Sequence, residues 1–138
     1  MLTKKNLIFI GAPGAGKGTF SNILLEKYPL TPISPGDLLR AEIKNDTQLG
    51  REAAGLMKAG KLVPDEVVSG MVGNKLSTCD NGFILDGFPR TLNQAALLDQ
   101  ALAKINSKLD AVVYFKVDDE VILQRLTARI SCRECGEI

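Results

Sequence analysis

The sequence of 138 residues contains no histidine and no tryptophan, and it has only three cysteines. Without an imidazole the commonest general base is absent, so any chemistry has to use carboxylates, lysine, arginine or a metal ion. The three thiols, Cys79, Cys132 and Cys135, cannot form a disulfide framework. The composition therefore excludes imidazole-based catalysis and a small fold that depends on disulfides.

An excess of charge and long apolar runs are also missing. The 17 lysines and arginines against 16 acids give a net charge of +1, which offers no bulk attraction to nucleic acid or to an anionic membrane. No apolar run approaches the length of a transmembrane helix, and no signal-peptide core follows the polar start. We expect a single-domain cytoplasmic protein that has neither nucleic acid nor membrane as a partner.

A glycine-rich segment, residues 11–19 (GAPGAGKGT), lies between an apolar run at 7–10 and a helical pattern at 20–27. Glycines let the backbone turn with positive φ, so that successive N–H groups can face a phosphate. Lys17 adds a full charge, and Thr19 a hydroxyl for Mg²⁺. The hydroxyl comes one place later than in the general motif, because Gly18 follows the lysine. The alternative, a hairpin turn, requires neither the lysine nor the helix, so we favour phosphate binding.

Strand and helix patterns alternate along the rest of the chain. This order predicts an α/β fold with a parallel sheet and flanking helices, a three-layer α/β/α arrangement of the P-loop NTPase type. We expect strands at 7–10, 30–33, 83–86 and 109–115, and helices at 17–27, 35–45, 49–59, 64–76, 91–105 and 118–130. Ligands of such sheets bind at the carboxyl ends of strands, where the glycine-rich segment and residues 86–90 both fall.

Polar residues at these strand ends are candidates for the site. Asp86 ends an apolar strand and is placed to organise Mg²⁺, although a polar strand terminus would look the same. Arg90 offers a guanidinium fork to a phosphate, and the alternative is an ordinary surface arginine. Gln94 also completes a capping box with Thr91, which alone would explain it.

Two further arginines, Arg125 and Arg129, share a face of the last helix, beside a stripe that we expect to pack on the core. The stripe consists of Ile122, Leu126 and Ile130. Bound phosphates would offset the repulsion between the arginines, and the alternative is a solvated basic face.

Four segments agree in order and spacing with one family: residues 11–19, 36–40 (GDLLR), 60–65 (GKLVPD) and 86–91 (DGFPRT). Together they resemble adenylate kinase. The resemblance implies transfer of the γ-phosphoryl group of ATP·Mg to AMP, giving two ADP. It also implies a core at 1–130, an AMP-binding arm at about 34–63 and the start of a lid at 131–138.

The resemblance assigns roles to individual positions. Catalytic cations are implied at Lys17, Arg90, Arg125 and Arg129. ATP contacts are implied at Gly14, Ala15, Gly16, Lys17, Gly18, Thr19 and Arg125. AMP contacts are implied at Pro35, Arg40, Lys61, Leu62, Val63, Gly87, Phe88, Pro89, Arg90 and Gln94. Asp86 and Thr19 are implied to hold Mg²⁺, directly or through water.

The sequence departs from the family pattern in two places. Pro35 stands where the family usually has a threonine whose hydroxyl contacts AMP, and the chain stops where the lid begins. The rest of the lid, a fifth strand and a C-terminal helix are then missing. Family members are usually monomeric, but a chain without these parts is expected to self-associate. Cys132-x-x-Cys135 resembles half of a structural zinc knuckle, the alternative being two reduced thiols.

Three alternatives to an AMP kinase can be weighed. A sibling kinase for UMP, CMP or dTMP stays open, although Gln94 and residues 60–63 favour AMP. A nucleotide-binding fragment with little catalysis also stays open, because part of the phosphate clamp is missing. A switch GTPase is disfavoured, because the Asn/Thr-Lys-x-Asp guanine motif is absent.

Overall fold

The computed structural model describes residues 5–130 and 133–135. Strands and helices follow one another in the order that the sequence predicts, with three helices in succession between the second and third strands. The strands are β1 (Asn6–Gly11), β2 (Thr31–Ile33), β3 (Phe83–Asp86) and β4 (Ala111–Phe115). The helices are α1 (Lys17–Lys27), α2 (Pro35–Lys44), α3 (Gln48–Lys58), α4 (Asp65–Leu76), α5 (Leu92–Lys104) and α6 (Asp119–Thr127).

The strands form one parallel sheet in the order β2-β3-β1-β4. The central strands β1 and β3 are runs of large apolar residues without alternation, as suits strands covered on both faces. In their register Phe9 lies beside Asp86, and on the other side of β1 Gly11 lies beside Phe115. The carboxyl ends of β1 and β3 therefore open at one edge of the sheet, where ligands of such folds bind.

A hydrophobic cluster covers each face of the sheet. One contains Leu7, Phe9 and Ile84, with Leu24 and Leu25 of α1 packed against it. The other contains Ile8, Leu85 and the fully buried Phe83, together with apolar residues of α4 and α5: Val72, Leu76, Leu98 and Leu102. Successive side chains of a strand point to opposite faces, so the two clusters make a three-layer α/β/α fold. This confirms the predicted fold class.

The last helix differs from the prediction. It ends at Thr127, not at about 130, and its apolar stripe is not buried in the core: Ile122 is half-buried, Leu126 is 38% exposed and Ile130 is 81% exposed. The physical reason is position, because β4 is the edge strand of the described sheet and offers α6 a packing surface from one side only. Within residues 5–130 and 133–135, no helix is both long enough and apolar enough to cross a membrane.

Candidate functional site

The glycine-rich segment forms a tight loop between β1 and α1. Gly14 and Gly16 have φ angles of 82° and 100°, which a residue with a Cβ rarely adopts. Gly16 is the N-cap of α1 and provides no side-chain cap, and the Phe20 N–H donates back to the Gly16 carbonyl. The first-turn N–H groups of a helix have no intrahelical acceptor, so they and the positive end of the helix dipole face the loop concavity. This is a geometry for binding an anion.

Two cations lie against this loop. The Nζ of Lys17 donates to the carbonyls of Gly11 at 2.7 Å and Ala12 at 3.2 Å. From the other side, Nη1 of Arg125 donates to the carbonyl of Gly14 at 3.2 Å. A Cβ added at Gly14 would meet the Leu126 side chain at 3.4 Å, so α6 packs directly on the loop. The α6 arginine predicted to meet ATP is therefore brought to the loop.

Asp86 ends β3 next to the loop and is half-buried. Burial raises the pKa of its carboxyl, while the charges of Lys17 and Arg90 oppose that rise and Asp37 adds to it. A desolvated carboxylate gains from a cation at short range, and Mg²⁺ prefers oxygen ligands. Thr19 lies on the first turn of α1 and is exposed. These two side chains have the donor chemistry that a magnesium ion needs.

A cavity of about 490 Å³ opens beside the loop, a size in the range of small-molecule sites. Its walls come from α1, from β2 and the start of α2, and from the ends of α4 and β3. The lining residues are Gly18, Ser21, Asn22, Leu25, Pro32, Ile33, Ser34, Asp37, Leu38, Lys75, Ile84 and Asp86.

Sequence analysis identified two of these lining residues as site residues, Gly18 and Asp86. The others were missed. One signal was available for α1, since Ser21 and Leu25 follow Gly18 at helical spacing and share its face. For Lys75, which comes from α4, no local pattern points to the site.

Arg90 follows Asp86 by four residues and is near enough for its charge to act on that carboxyl, and a glycine shapes its path. Its Nε donates to the Gly87 carbonyl at 2.8 Å. Gly87 has a φ of 75°, and a Cβ there would lie 3.1 Å from Nη2 of Arg90. Phe88 is only 1% exposed and belongs to the core, so any ligand contact at this position has to come from its backbone. Pro89, which stands between Phe88 and Arg90 in the sequence, is half-buried.

The Gln94 side chain does more than cap its helix. Thr91 Oγ1 accepts from the Gln94 N–H at 3.1 Å, which confirms Thr91 as the cap of α5. The reciprocal bond of a capping box is absent here. Gln94 Oε1 instead accepts from the N–H of Arg90 at 2.7 Å, one residue before the cap. Gln94 is buried and adjoins the candidate arginine directly.

The remaining candidates lie around the cavity or beyond it. Pro35 opens α2 as the predicted first residue of that helix, and Arg40 forms an exposed ion pair with Asp37. In the loop between α3 and α4, Lys61 and Leu62 are exposed and Val63 is half-buried; Arg129 is exposed beyond α6.

The predicted zinc half-site lies only partly in the described region. Cys135 is an exposed free thiol, and Cys132 is outside the described residues. No group of three or more potential His, Cys, Asp or Glu ligands occurs in the part of the chain that the structure describes. Zinc binding stays a prediction.

Comparison with known proteins identifies the family. The family model described as adenylate kinase matches residues 9–133. An adenylate kinase of Fervidobacterium nodosum is 47% identical over 135 residues, covering 96% of this chain and 62% of the relative. One of Archaeoglobus fulgidus is 50% identical over 135 residues, with the same coverages, and one of Limosilactobacillus reuteri is 50% identical over 133 residues, covering 95% and 61%. The chain thus spans about three fifths of the length of these relatives, and it belongs to the adenylate kinase family.

Proposed function

We propose that the protein transfers the γ-phosphoryl group of ATP·Mg to AMP, giving two ADP. The observation that carries this proposal is the junction between loop and cavity. Gly18, on the first turn after the phosphate loop, and Asp86, at the end of β3, also line the cavity of about 490 Å³. One anion held by the loop and a second nucleotide in the cavity would meet at these two residues, as a reaction between two phosphates requires.

On the ATP side, the loop backbone from Gly14 to Thr19 wraps the phosphates. Lys17 has three donors and uses two on loop carbonyls, which leaves one for a phosphate oxygen. Arg125 approaches the same loop from α6, and we assign Arg129 to the phosphates from the base of the lid. The magnesium ion, held by Asp86 and Thr19 directly or through water, supplies charge neutralisation at the phosphate oxygens when bound.

On the AMP side, we assign the cavity and the arm at about 34–63. Arg40 and Arg90 hold the phosphate, and the Asp37–Arg40 pair is an exposed one that contributes little stability, so phosphate can replace Asp37. The other proposed AMP contacts are at Pro35, Lys61, Leu62, Val63, Gly87, Phe88, Pro89 and Gln94.

The chemistry needs no imidazole, in keeping with the sequence. Phosphoryl transfer through a loose transition state depends on aligning the two nucleotides and on neutralising charge. Lys17, Arg90, Arg125 and Arg129 are the cations that we assign to that task. The lid, which we place from residue 131 onward, would exclude water from the reaction.

A coupled assay for ADP, with calorimetry for AMP, UMP, CMP and dTMP, tests the proposal. We expect AMP to bind best and to be the best acceptor. A preference for UMP, CMP or dTMP would favour a sibling kinase. Binding of ATP and AMP without turnover would favour a nucleotide-binding fragment. Absence of any nucleotide binding would refute the proposal.

A further inference from the structure

We infer that Asp65 is a positioning residue: it holds the side-chain amide of Gln94 in one orientation and thereby sets which nucleobase the monophosphate site accepts. The inference rests on the proposed function, since it concerns the same AMP site. Asp65 is the first residue of α4 and directly follows the loop at 61–64, where the arm rejoins the core. Sequence analysis gave this residue no role.

The Asp65 carboxylate links the starts of two helices. Its Oδ1 accepts from Nε2 of Gln94 at 2.8 Å, across 29 positions of sequence. Its Oδ2 accepts from Oγ1 of Thr91 at 3.1 Å and from Nδ2 of Asn93 at 3.3 Å. These hydrogen bonds, with that of Asn93 first, lower the pKa of the carboxyl, so it stays ionised and acts only as an acceptor.

Both ends of the Gln94 amide are consequently fixed. Its Nε2 faces an acceptor, the Asp65 carboxylate, and its Oε1 faces a donor, the N–H of Arg90 at 2.7 Å. A flipped amide would place NH₂ against N–H and oxygen against carboxylate, losing two hydrogen bonds in a buried position. One Nε2 hydrogen and one Oε1 lone pair then remain for a ligand, in a fixed order.

A fixed order distinguishes two classes of base. Adenine presents an amino donor at position 6 and a ring acceptor at position 1, whereas hypoxanthine presents an acceptor at 6 and a donor at 1. An amide that can flip serves either edge, but an amide that is held serves one and leaves the other unpaired. Asp65 therefore makes the site selective for adenine over a 6-oxopurine of the same shape.

The test is calorimetry of AMP and inosine monophosphate (IMP) with the full chain and three variants. For Asp65→Ala we expect AMP to bind about tenfold more weakly. The ratio of AMP affinity to IMP affinity should fall by about tenfold or more, which corresponds to the loss of one hydrogen bond. Asp65→Asn keeps an acceptor oxygen for Gln94 and should stay within about threefold of the wild-type ratio. Glu66→Ala, which removes the neighbouring acid and one weak contact to Asn93, is the matched control and should change neither quantity.

A second readout requires no nucleotide. In the free protein, the Nε2 proton of Gln94 that Asp65 accepts should exchange slowly with solvent deuterium in NMR spectra, and this protection should be lost in Asp65→Ala and persist in Glu66→Ala. If Asp65→Ala fails to fold, Asp65→Ser, too short to reach Gln94, takes its place.

The outcomes separate the two claims. If wild type binds AMP selectively, and Asp65→Ala (or Asp65→Ser) keeps the same ratio of AMP to IMP affinity and the same NMR behaviour of the Gln94 amide, the inference is wrong and the proposed function stands. If wild type binds no AMP, both the proposed function and the selectivity claim fail. A narrowed ratio that the asparagine variant restores supports the inference.

Discussion

Lys17 and Gly11 are joined by a hydrogen bond of 2.7 Å that folds the lysine back over the loop from which it comes. We expect Lys17→Met to lower turnover by about 10²–10³, because it removes a charge that neutralises the transferred phosphoryl group. The fold should survive, since methionine retains the apolar stem and the glycines shape the loop. A coupled ADP assay and a thermal melt measure both effects.

Lys27→Met is the matched control for this variant, because Lys27 is exposed in the last turn of α1, away from the loop. The phosphate role of Lys17 is contradicted if the two variants retain equal activity.

Asp86→Asn should be more stable than wild type at neutral pH and poorer in magnesium-dependent transfer. Burial raises the folded-state pKa of Asp86, so the folded protein binds this proton more tightly than the unfolded chain does. The stability of wild type therefore falls as pH rises from the unfolded pKa, about 4, through the higher folded pKa. The gain in melting temperature from Asp86→Asn should be largest near pH 7 and shrink towards about pH 4.

The exposed Asp99 on α5 supplies the control for this prediction, as Asp99→Asn. A stability gain for Asp86→Asn that is equal at both pH values, or matched by Asp99→Asn, would show that desolvation of Asp86 is not its cause.

Pro35→Thr should tighten AMP binding and leave ATP binding unchanged. The first residue of α2 adjoins Ser34, which lines the cavity, and a hydroxyl there regains one hydrogen bond, about 0.5–1.5 kcal/mol. Pro35→Val has nearly the same shape without the hydroxyl and should show no gain. Calorimetry of both variants decides the matter, and equal AMP affinity for the two would place Pro35 outside the AMP site.

The chain of 138 residues should self-associate through the edge of β4 that no strand pairs with in the described sheet. The Asp110 N–H donates to the Asn6 carbonyl of β1 at 2.9 Å. Because the backbone N–H and C=O groups of successive strand residues point to opposite sides, those of Ala111 and Val113 point away from β1. A second copy, antiparallel about Val113, would pair these groups and cover the apolar edge, where Tyr114 is 68% exposed.

Tyr114→Lys should shift this association towards monomer in sedimentation velocity over a range of concentrations. Leu92→Lys removes an apolar side chain that is 91% exposed elsewhere and should leave the association unchanged. A chain that is monomeric at every concentration would overturn the prediction.

The parts predicted from sequence are those that local physics determines. Apolar runs that suit burial on both faces identified β1 and β3, and Pro35 and Thr91 marked helix starts. Contacts between distant segments were beyond such reasoning. Lys75 reaches the cavity only because α4 packs beside β2 and α2, and the stripe at Leu126 has the right spacing but too little surface to pack against.

The empty space around Gly18 creates a conflict between the stability of α1 and the room in the cavity that Gly18 lines. A Cβ at this helical position meets no atom within 4 Å, and alanine is favoured over glycine in helices by about 0.8–1 kcal/mol. Gly18→Ala should therefore stabilise the helix, but Gly18 also lines the cavity, so the added methyl group would take up space at its wall. Selection for thermal stability alone should thus favour alanine at this position, whereas selection for nucleotide binding should retain glycine.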